Sequence, residues 1–161
     1  MSFKKQILGL IGWLLASVLV SVIGGLGSLN APVFYRELNL PSWAPDAWLF
    51  GPVWTSLYTL MAIAAWLVWR QGGWENAKRA LNLNVAQLAV NALWSWLFFA
   101  WYLGGVAFAE IIVLWLLIAA TIQAYWKHHK VAAILLLPYL AWVTFAGALN
   151  LNLWLNNPGV L

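Results

Sequence analysis

Five uninterrupted apolar runs dominate this 161-residue chain, at approximately Ile7–Leu29, Ala47–Trp69, Ala80–Tyr102, Gly105–Trp126 and Val131–Leu155. Each is longer than the about 20 residues a helix needs to cross the hydrocarbon of a bilayer. Backbone N–H and C=O groups have no water to bond there, so only helices and closed barrels can span it; barrel strands alternate polar and apolar residues, and these runs do not. Charged residues make up 7% of the chain and apolar ones 65%, against roughly 25% charged in a soluble domain. A soluble fold of this length could not cover that much apolar surface. Composition therefore excludes a soluble enzyme and a disordered chain, and the absence of cysteine excludes a disulfide-stapled module. The chain reads as all-α: one membrane domain over residues 1–161, a five-transmembrane-helix bundle, with residues 30–46 as its one extended connection.

The cations give this bundle a direction. Five crossings place Lys4, Lys5, Arg70, Lys78, Arg79, Lys127 and Lys130 on one side and leave Arg36 alone on the other. By the positive-inside rule the amino terminus is expected in the cytoplasm and the carboxyl terminus outside. The net charge of +4 is thus a topology signal, and nucleic acid is not an expected partner. Lys4-Lys5 before an apolar run also resembles the opening of a secretory signal. That run is about twice the usual h-region length and lacks a clear A-x-A site, so it is read as the first span.

The connection at residues 30–46 carries Pro32, Pro41 and Pro45. A stiffened segment over the mouth of a bundle reads either as a lid or as an interfacial strap. The 14 tryptophans are partly explained by aromatic belts at the two membrane surfaces. Trp54, Trp94, Trp96, Trp115 and Trp142 lie deeper, and a cluster of them would make flat walls suited to a planar apolar ligand. Helical spacing supports a cluster: Trp54, Tyr58, Met61 and Ala65 share one face of the second span, and Trp142, Phe145, Ala146, Leu149 and Asn150 share one of the fifth. In the third, Asn84, Gln87, Asn91, Trp94 and Ser95 form a polar and aromatic stripe. Amides are costly in hydrocarbon, so this stripe faces either neighbouring helices as hydrogen-bonding glue or a cavity.

Glu110 is the only acid inside a span; its first reading is snorkelling or pairing with Arg36, its second a proton relay. Gly51-Pro52 and Pro138 are expected to kink the second and fifth helices, and Ser17, Ser21 and Gly25 form a stripe of small residues for close packing. His128 and His129 lie in a loop, which leaves no His, Cys or Asp in mid-membrane for a metal or a bis-histidine haem. No nucleophile and base, carboxylate pair or phosphate loop is legible, and the glycines at 24, 25 and 27 have no βαβ context.

The run Pro41-Ser-Trp-Ala-Pro-Asp-Ala-Trp-Leu-Phe-Gly-Pro-Val-Trp-Thr-Ser-Leu-Tyr58 resembles the signature of the TspO/MBR family, that of the tryptophan-rich sensory protein, the translocator protein and the peripheral-type benzodiazepine receptor. Gln87-Leu-Ala-Val-Asn91 with Trp94 and Phe98-Phe99, and Pro138-Tyr139 followed by Trp142, Phe145-Ala146 and Leu149-Asn150, agree with it. The resemblance implies five membrane helices, a homodimer in many members, and a ligand cavity closed by the first loop. It implies ligand contacts from Tyr35, Trp54, Tyr58, Asn91, Trp94, Trp142, Ala146 and Leu149, with Trp54 and Trp142 as the candidate redox residues. Porphyrins are the ligands it implies first, with light-dependent porphyrin breakdown in some bacterial members and sterols in animals. Where paired prolines are common in the family this chain has Pro45-Asp46, with Asp46 placed to cap the second helix. Leu151–Leu161 contains no Tyr, Lys or Arg, so the sterol motif is missing, and a bacterial cell membrane is the expected setting.

The resulting expectation is a porphyrin-binding sensor or carrier that needs no cofactor. A macrocycle would stack between Trp54, Trp94 and Trp142, its carboxylates directed toward Arg36 and the start of the second helix. The alternatives are photo-oxidative breakdown of that porphyrin and transport or binding of sterols or other apolar ligands.

Overall fold

A computed structural model describes residues 1–161. It contains no strand and has five stretches of helix long and apolar enough to cross a membrane. The first span is one helix, α1 (Phe3–Gly27), whose Ser2 hydroxyl accepts the Lys5 N–H at 3.4 Å. A short helix α2 (Ala31–Glu37) follows, so the connection at 30–46 is partly helical rather than a plain loop. Pro32 sits in the first turn of α2, where its missing N–H would have had no partner anyway.

The second span opens with a 3₁₀ turn at Ala47–Leu49 and continues as α3 (Phe50–Trp69). Asp46 holds the N-cap position, but its side chain makes no capping bond. A single turn α4 (Gly73–Asn76) leads to α5 (Lys78–Ser95). This helix ends in a π turn, Trp96–Ala100, followed by Tyr102 at φ 55°. The fourth span is α6 (Gly104–His128). The fifth is broken at Leu136 into α7 (Lys130–Leu135) and α8 (Leu137–Asn156). Pro138 lies in the first turn of α8 and cannot supply the N–H that would have continued α7.

Around the bundle, α1 lies between α3 and α5, α5 beside α6, α6 beside α7 and α8, and α7 closes the ring against α3. Lipid tails are as apolar as leucine, so burial alone cannot hold these helices together; close packing and interhelical hydrogen bonds must. Two cores do this. The larger fills the end that carries the seven cations, with Met61, Ala62, Ala64, Ala65, Ala80, Leu81, Ala132, Ala133 and Tyr139 almost wholly buried. The smaller joins Phe34, Tyr35 and Leu38 from the segment after α1 to Leu97, Phe98, Ala107, Leu149 and Leu153. The connection is therefore a lid packed onto the bundle by its own core. The outward faces, such as Leu8, Leu15, Val18, Leu19 and Val22 of α1, are exposed and apolar, as a lipid-facing helix requires.

A tryptophan-walled cavity beneath the lid

Between the two cores lies a cavity of about 360 Å³, within the range of about 300–1,000 Å³ of small-molecule sites. The second span contributes Ala47, Phe50, Gly51, Trp54, Thr55 and Tyr58, the fifth Trp142, Val143 and Ala146, and the third Asn91, Trp94, Ser95 and Phe99. Ala31, Pro32 and Tyr35 roof it, Ile111 and Leu114 back it, and Ser21, Gly24, Gly25 and Ser28 of α1 form one side.

The π turn explains one part of this wall. Trp94 and Phe99 are five residues apart, a spacing that an α-helix would turn well off one face; the wider turn brings both to the cavity. Trp94 is pinned there: its Nε1 donates to Asn150 Oδ1 at 3.0 Å, Asn150 Nδ2 donates to the Gly104 carbonyl at 2.9 Å, and the indole stacks on Phe98 at 5.2 Å. Trp54 packs against Tyr58 and, edge to face, against Tyr139. Trp142 meets Phe50 and Phe145, with centroids 5.9 and 5.4 Å apart. Its indole Nε1–H is buried and has no hydrogen-bond partner. An unpaired buried donor carries a desolvation cost that an acceptor on a ligand would relieve.

The amide stripe of the third span divides. Tyr58 Oη donates to Asn91 Oδ1, Asn91 Nδ2 donates to Tyr139 Oη at 2.8 Å, and Tyr139 donates in turn to Gln87 Oε1 at 2.8 Å. Gln87 Nε2 donates to Asn84 Oδ1 at 3.2 Å. Gln87 thus joins two helices away from the cavity through Tyr139, and Asn84 bonds only Gln87 on its own helix, its Nδ2 buried without a partner, whereas Asn91 belongs both to the network and to the wall. Part of its hydrogen-bonding capacity remains free for a ligand.

Of the residues expected at the site, Tyr35, Trp54, Tyr58, Asn91, Trp94, Trp142 and Ala146 all line this one cavity. Leu149 does not: one turn further along α8 it is buried under the lid in the smaller core. Met61 and Ala65 point into the larger core. Trp96 and Trp115 are elsewhere, the first donating to the Ile23 carbonyl of α1 at 3.0 Å and the second to Thr144 Oγ1 at 2.8 Å. Glu110 does not pair with Arg36. Both of its carboxyl oxygens are buried without a partner, while Arg36 is exposed on the lid and off the cavity wall. The cavity wall on that side is made by Ala47 and Gly51 at the start of the second span.

The wall holds residues that periodicity did not single out. Ile111 and Leu114 look like any lipid-facing pair in the sequence. Ser21 and Gly25 read there as a packing stripe, and both border the cavity. Phe50 was legible only as part of the Pro41–Tyr58 run. No His, Cys, Asp or Glu lines the cavity, and nowhere in the chain do three such residues converge as metal ligands.

The chain has relatives among known proteins. The sequence model of the TspO/MBR family matches residues 13–155. The chain is 40% identical over 149 residues to the tryptophan-rich protein TspO of Archaeoglobus fulgidus, covering 89% of this chain and 96% of the relative. It is 38% identical over 140 residues to protein CrtK of Rhodobacter capsulatus (84% and 86%) and 40% identical over 128 residues to the translocator protein of Homo sapiens (78% and 76%). With its five apolar spans and a match covering nearly its whole length, the chain is an integral membrane protein that belongs to the TspO/MBR family.

Proposed function

We propose that this protein is a membrane sensor or carrier that binds a planar, apolar tetrapyrrole in the cavity beneath its lid. One observation carries the reading: three indoles from three different spans, Trp54, Trp94 and Trp142, border a single cavity. Rigid aromatic walls favour a flat π-system, which stacks on them at little cost in side-chain entropy. The free capacity of Asn91 would orient the macrocycle through its polar atoms. At about 360 Å³ the enclosed space is at the small end for a ligand site, so a macrocycle would extend beyond it on the α1 side. With no His, Cys, Asp or Glu on the wall, the haem-ligating side chains there are the Tyr35 and Tyr58 phenols, already bonded to the Pro45 carbonyl and to Asn91, so the site suits a metal-free porphyrin better than haem.

The relatives' names, which include a tryptophan-rich sensory protein of Cereibacter sphaeroides at 42% identity and translocator proteins, support a sensing or carrying role. The cation distribution supports a cytoplasmic amino terminus, and the missing sterol motif in Leu151–Leu161 favours a bacterial cell membrane. Binding is tested by titrating detergent-solubilised protein with a free-base porphyrin in the dark and following tryptophan fluorescence. The expected result is saturable quenching, lost when Trp54 and Trp142 are both changed to Leu; equal quenching by that variant would sink the reading. Repeating the titration in light, with and without Trp142→Phe, separates binding from photo-oxidation: only the latter bleaches the porphyrin band in a Trp142-dependent way.

A further inference from the structure

Two routes lead to the cavity, and they are built differently. The first is the lid. Phe34, Tyr35 and Leu38 are 7%, 5% and 5% exposed in the smaller core. Tyr35 Oη donates to the Pro45 carbonyl at 3.0 Å, and the Tyr35 ring meets Phe50 edge-on at 5.5 Å. Trp43 packs on Phe145 at 5.8 Å. The far end of the lid is tied to the end of α8. Asn157 Oδ1 accepts the Asn39 backbone N–H at 2.8 Å, and Asn157 Nδ2 donates to the Asn39 carbonyl at 3.4 Å, so one side-chain amide engages both backbone groups of one residue. Opening the lid would expose that core and break these bonds together.

The second route runs between α1 and α3. At the cation-bearing end the two helices are locked: a Cβ on Gly9 would collide with the Trp69 ring, and Trp66 Nε1 donates to the Gln6 carbonyl at 2.8 Å. Toward the lid, α1 leans on the third span instead. Gly24 abuts Ala92 and Ser95, a Cβ on Gly27 would come within 2.9 Å of the Trp96 ring, and Trp96 Nε1 binds the Ile23 carbonyl. At this level Ser21 and Gly25 of α1 and Gly51 and Thr55 of α3 all line the cavity. Gly25, Gly51 and Thr55 are exposed, and nothing lies within 4 Å of a Cβ built at either glycine. The Thr55 hydroxyl is satisfied by the Gly51 carbonyl at 2.9 Å. Of the five spans α1 has the least cover: 17% of its most apolar stretch is buried, against 39% for the second span.

We propose that ligands enter and leave the cavity sideways, from the lipid leaflet on the lid side, through the portal framed by Ser21, Gly25, Gly51 and Thr55, while the lid remains shut. The proposal rests on the reading of the cavity as a binding site for an apolar ligand and adds its route. It implies that the protein draws on molecules dissolved in lipid, with an association rate set by their concentration in the membrane rather than in water.

Exchange kinetics in proteoliposomes test it, with vesicle-borne protoporphyrin as the probe and tryptophan quenching as the readout. The chain has no cysteine, so Asn39→Cys with Asn157→Cys supplies the only two thiols, and cross-linking them locks the lid reversibly. Gly25→Leu with Gly51→Leu fills the portal at two positions with open space and replaces glycine by a better helix former. The portal variant is expected to slow association and dissociation by about tenfold or more, and the cross-linked lid to leave both within about twofold of wild type, as expected of a gate that sets exchange. Gly51→Leu alone should slow exchange to an intermediate degree, which keeps the test usable if the double variant folds poorly. If the cross-linked lid stops exchange and the portal variants exchange at the wild-type rate, the proposal is overturned while the binding site stands. If the wild-type chain shows no saturable quenching at equilibrium, the binding reading falls, and this proposal with it.

Discussion

The same five spans pack closely at the cation-bearing end and stand apart beneath the lid. At the first end the contacts are made by small residues: Ala64 and Ala65 of α3, Ala80 of α5, and Ala132 and Ala133 of α7 are 0% or 1% exposed. Small side chains let helix backbones approach, and in lipid that approach is the main source of association. Beneath the lid the corresponding positions carry Phe50, Trp54, Trp94 and Trp142. These rings bridge gaps that the backbones do not close, and a cavity is what they fail to fill. The amide and phenol network from Tyr58 through Asn91 and Tyr139 to Gln87 lies at the boundary. The closest packing of small residues and the cavity thus lie in different halves of the bundle, the lid half being held by its own smaller core.

Matched overpacking gives the largest expected effect. Ala65→Leu places three extra carbons in a full interface and should cost about 1–3 kcal/mol, read from reversible unfolding in mixed detergent. Ala146→Leu points into the cavity and should cost well under that while reducing porphyrin quenching. Equal losses at the two positions would erase the distinction between the halves.

A smaller effect is expected at the boundary. Asn91→Leu removes the acceptor of Tyr58 and a donor to Tyr139, and interhelical bonds of this kind are worth about 0.6 kcal/mol on average and about 1.7 at most. The variant should unfold slightly earlier and bind porphyrin more weakly. Unchanged stability with weakened binding would mean that Asn91 serves the cavity alone.

The smallest effect concerns the lid. Burial, and secondarily the Asp46 carboxylate, hold the Tyr35 phenol above its ordinary value of 10.0. The folded lid therefore keeps a proton that the unfolded chain gives up, so this contribution is constant below pH 10 and falls as pH rises past it. Tyr35→Phe should remove one late step from the alkaline tyrosine absorbance titration and flatten the loss of stability at high pH. Asp46→Asn should move that step earlier, because it removes the weaker of the two causes.

How much of this was legible in the sequence varies by element. The spans were, because a run such as Ile7–Leu29 has no stable place outside a bilayer. The aromatic positions of the site were too, since the spacings of Trp54 with Tyr58 and of Trp142 with Ala146 put each pair on one helical face. The ends of elements were less so. Asp46 stands at a helix start without capping it, and the lid contains a helix whose stability comes from Phe34 and Leu38 packing on the bundle. Glu110 and Arg36 looked complementary, yet no periodicity could say that one would be buried and the other turned to the surface.

Chain order and residue type thus determined by themselves that this is a five-helix membrane protein, with a charged end and an aromatic end, because insertion in lipid is governed by local hydropathy and by where cations fall. Which helices touch was decided only in three dimensions. The π turn that brings Phe99 beside Trp94, the assignment of Leu149 to the lid core rather than to the cavity, and the parting of α1 from α3 at Gly25 and Gly51 all depend on contacts between residues distant in sequence. A helix facing lipid and a helix facing a cavity use the same apolar residues, and only the positions of their neighbours tell them apart.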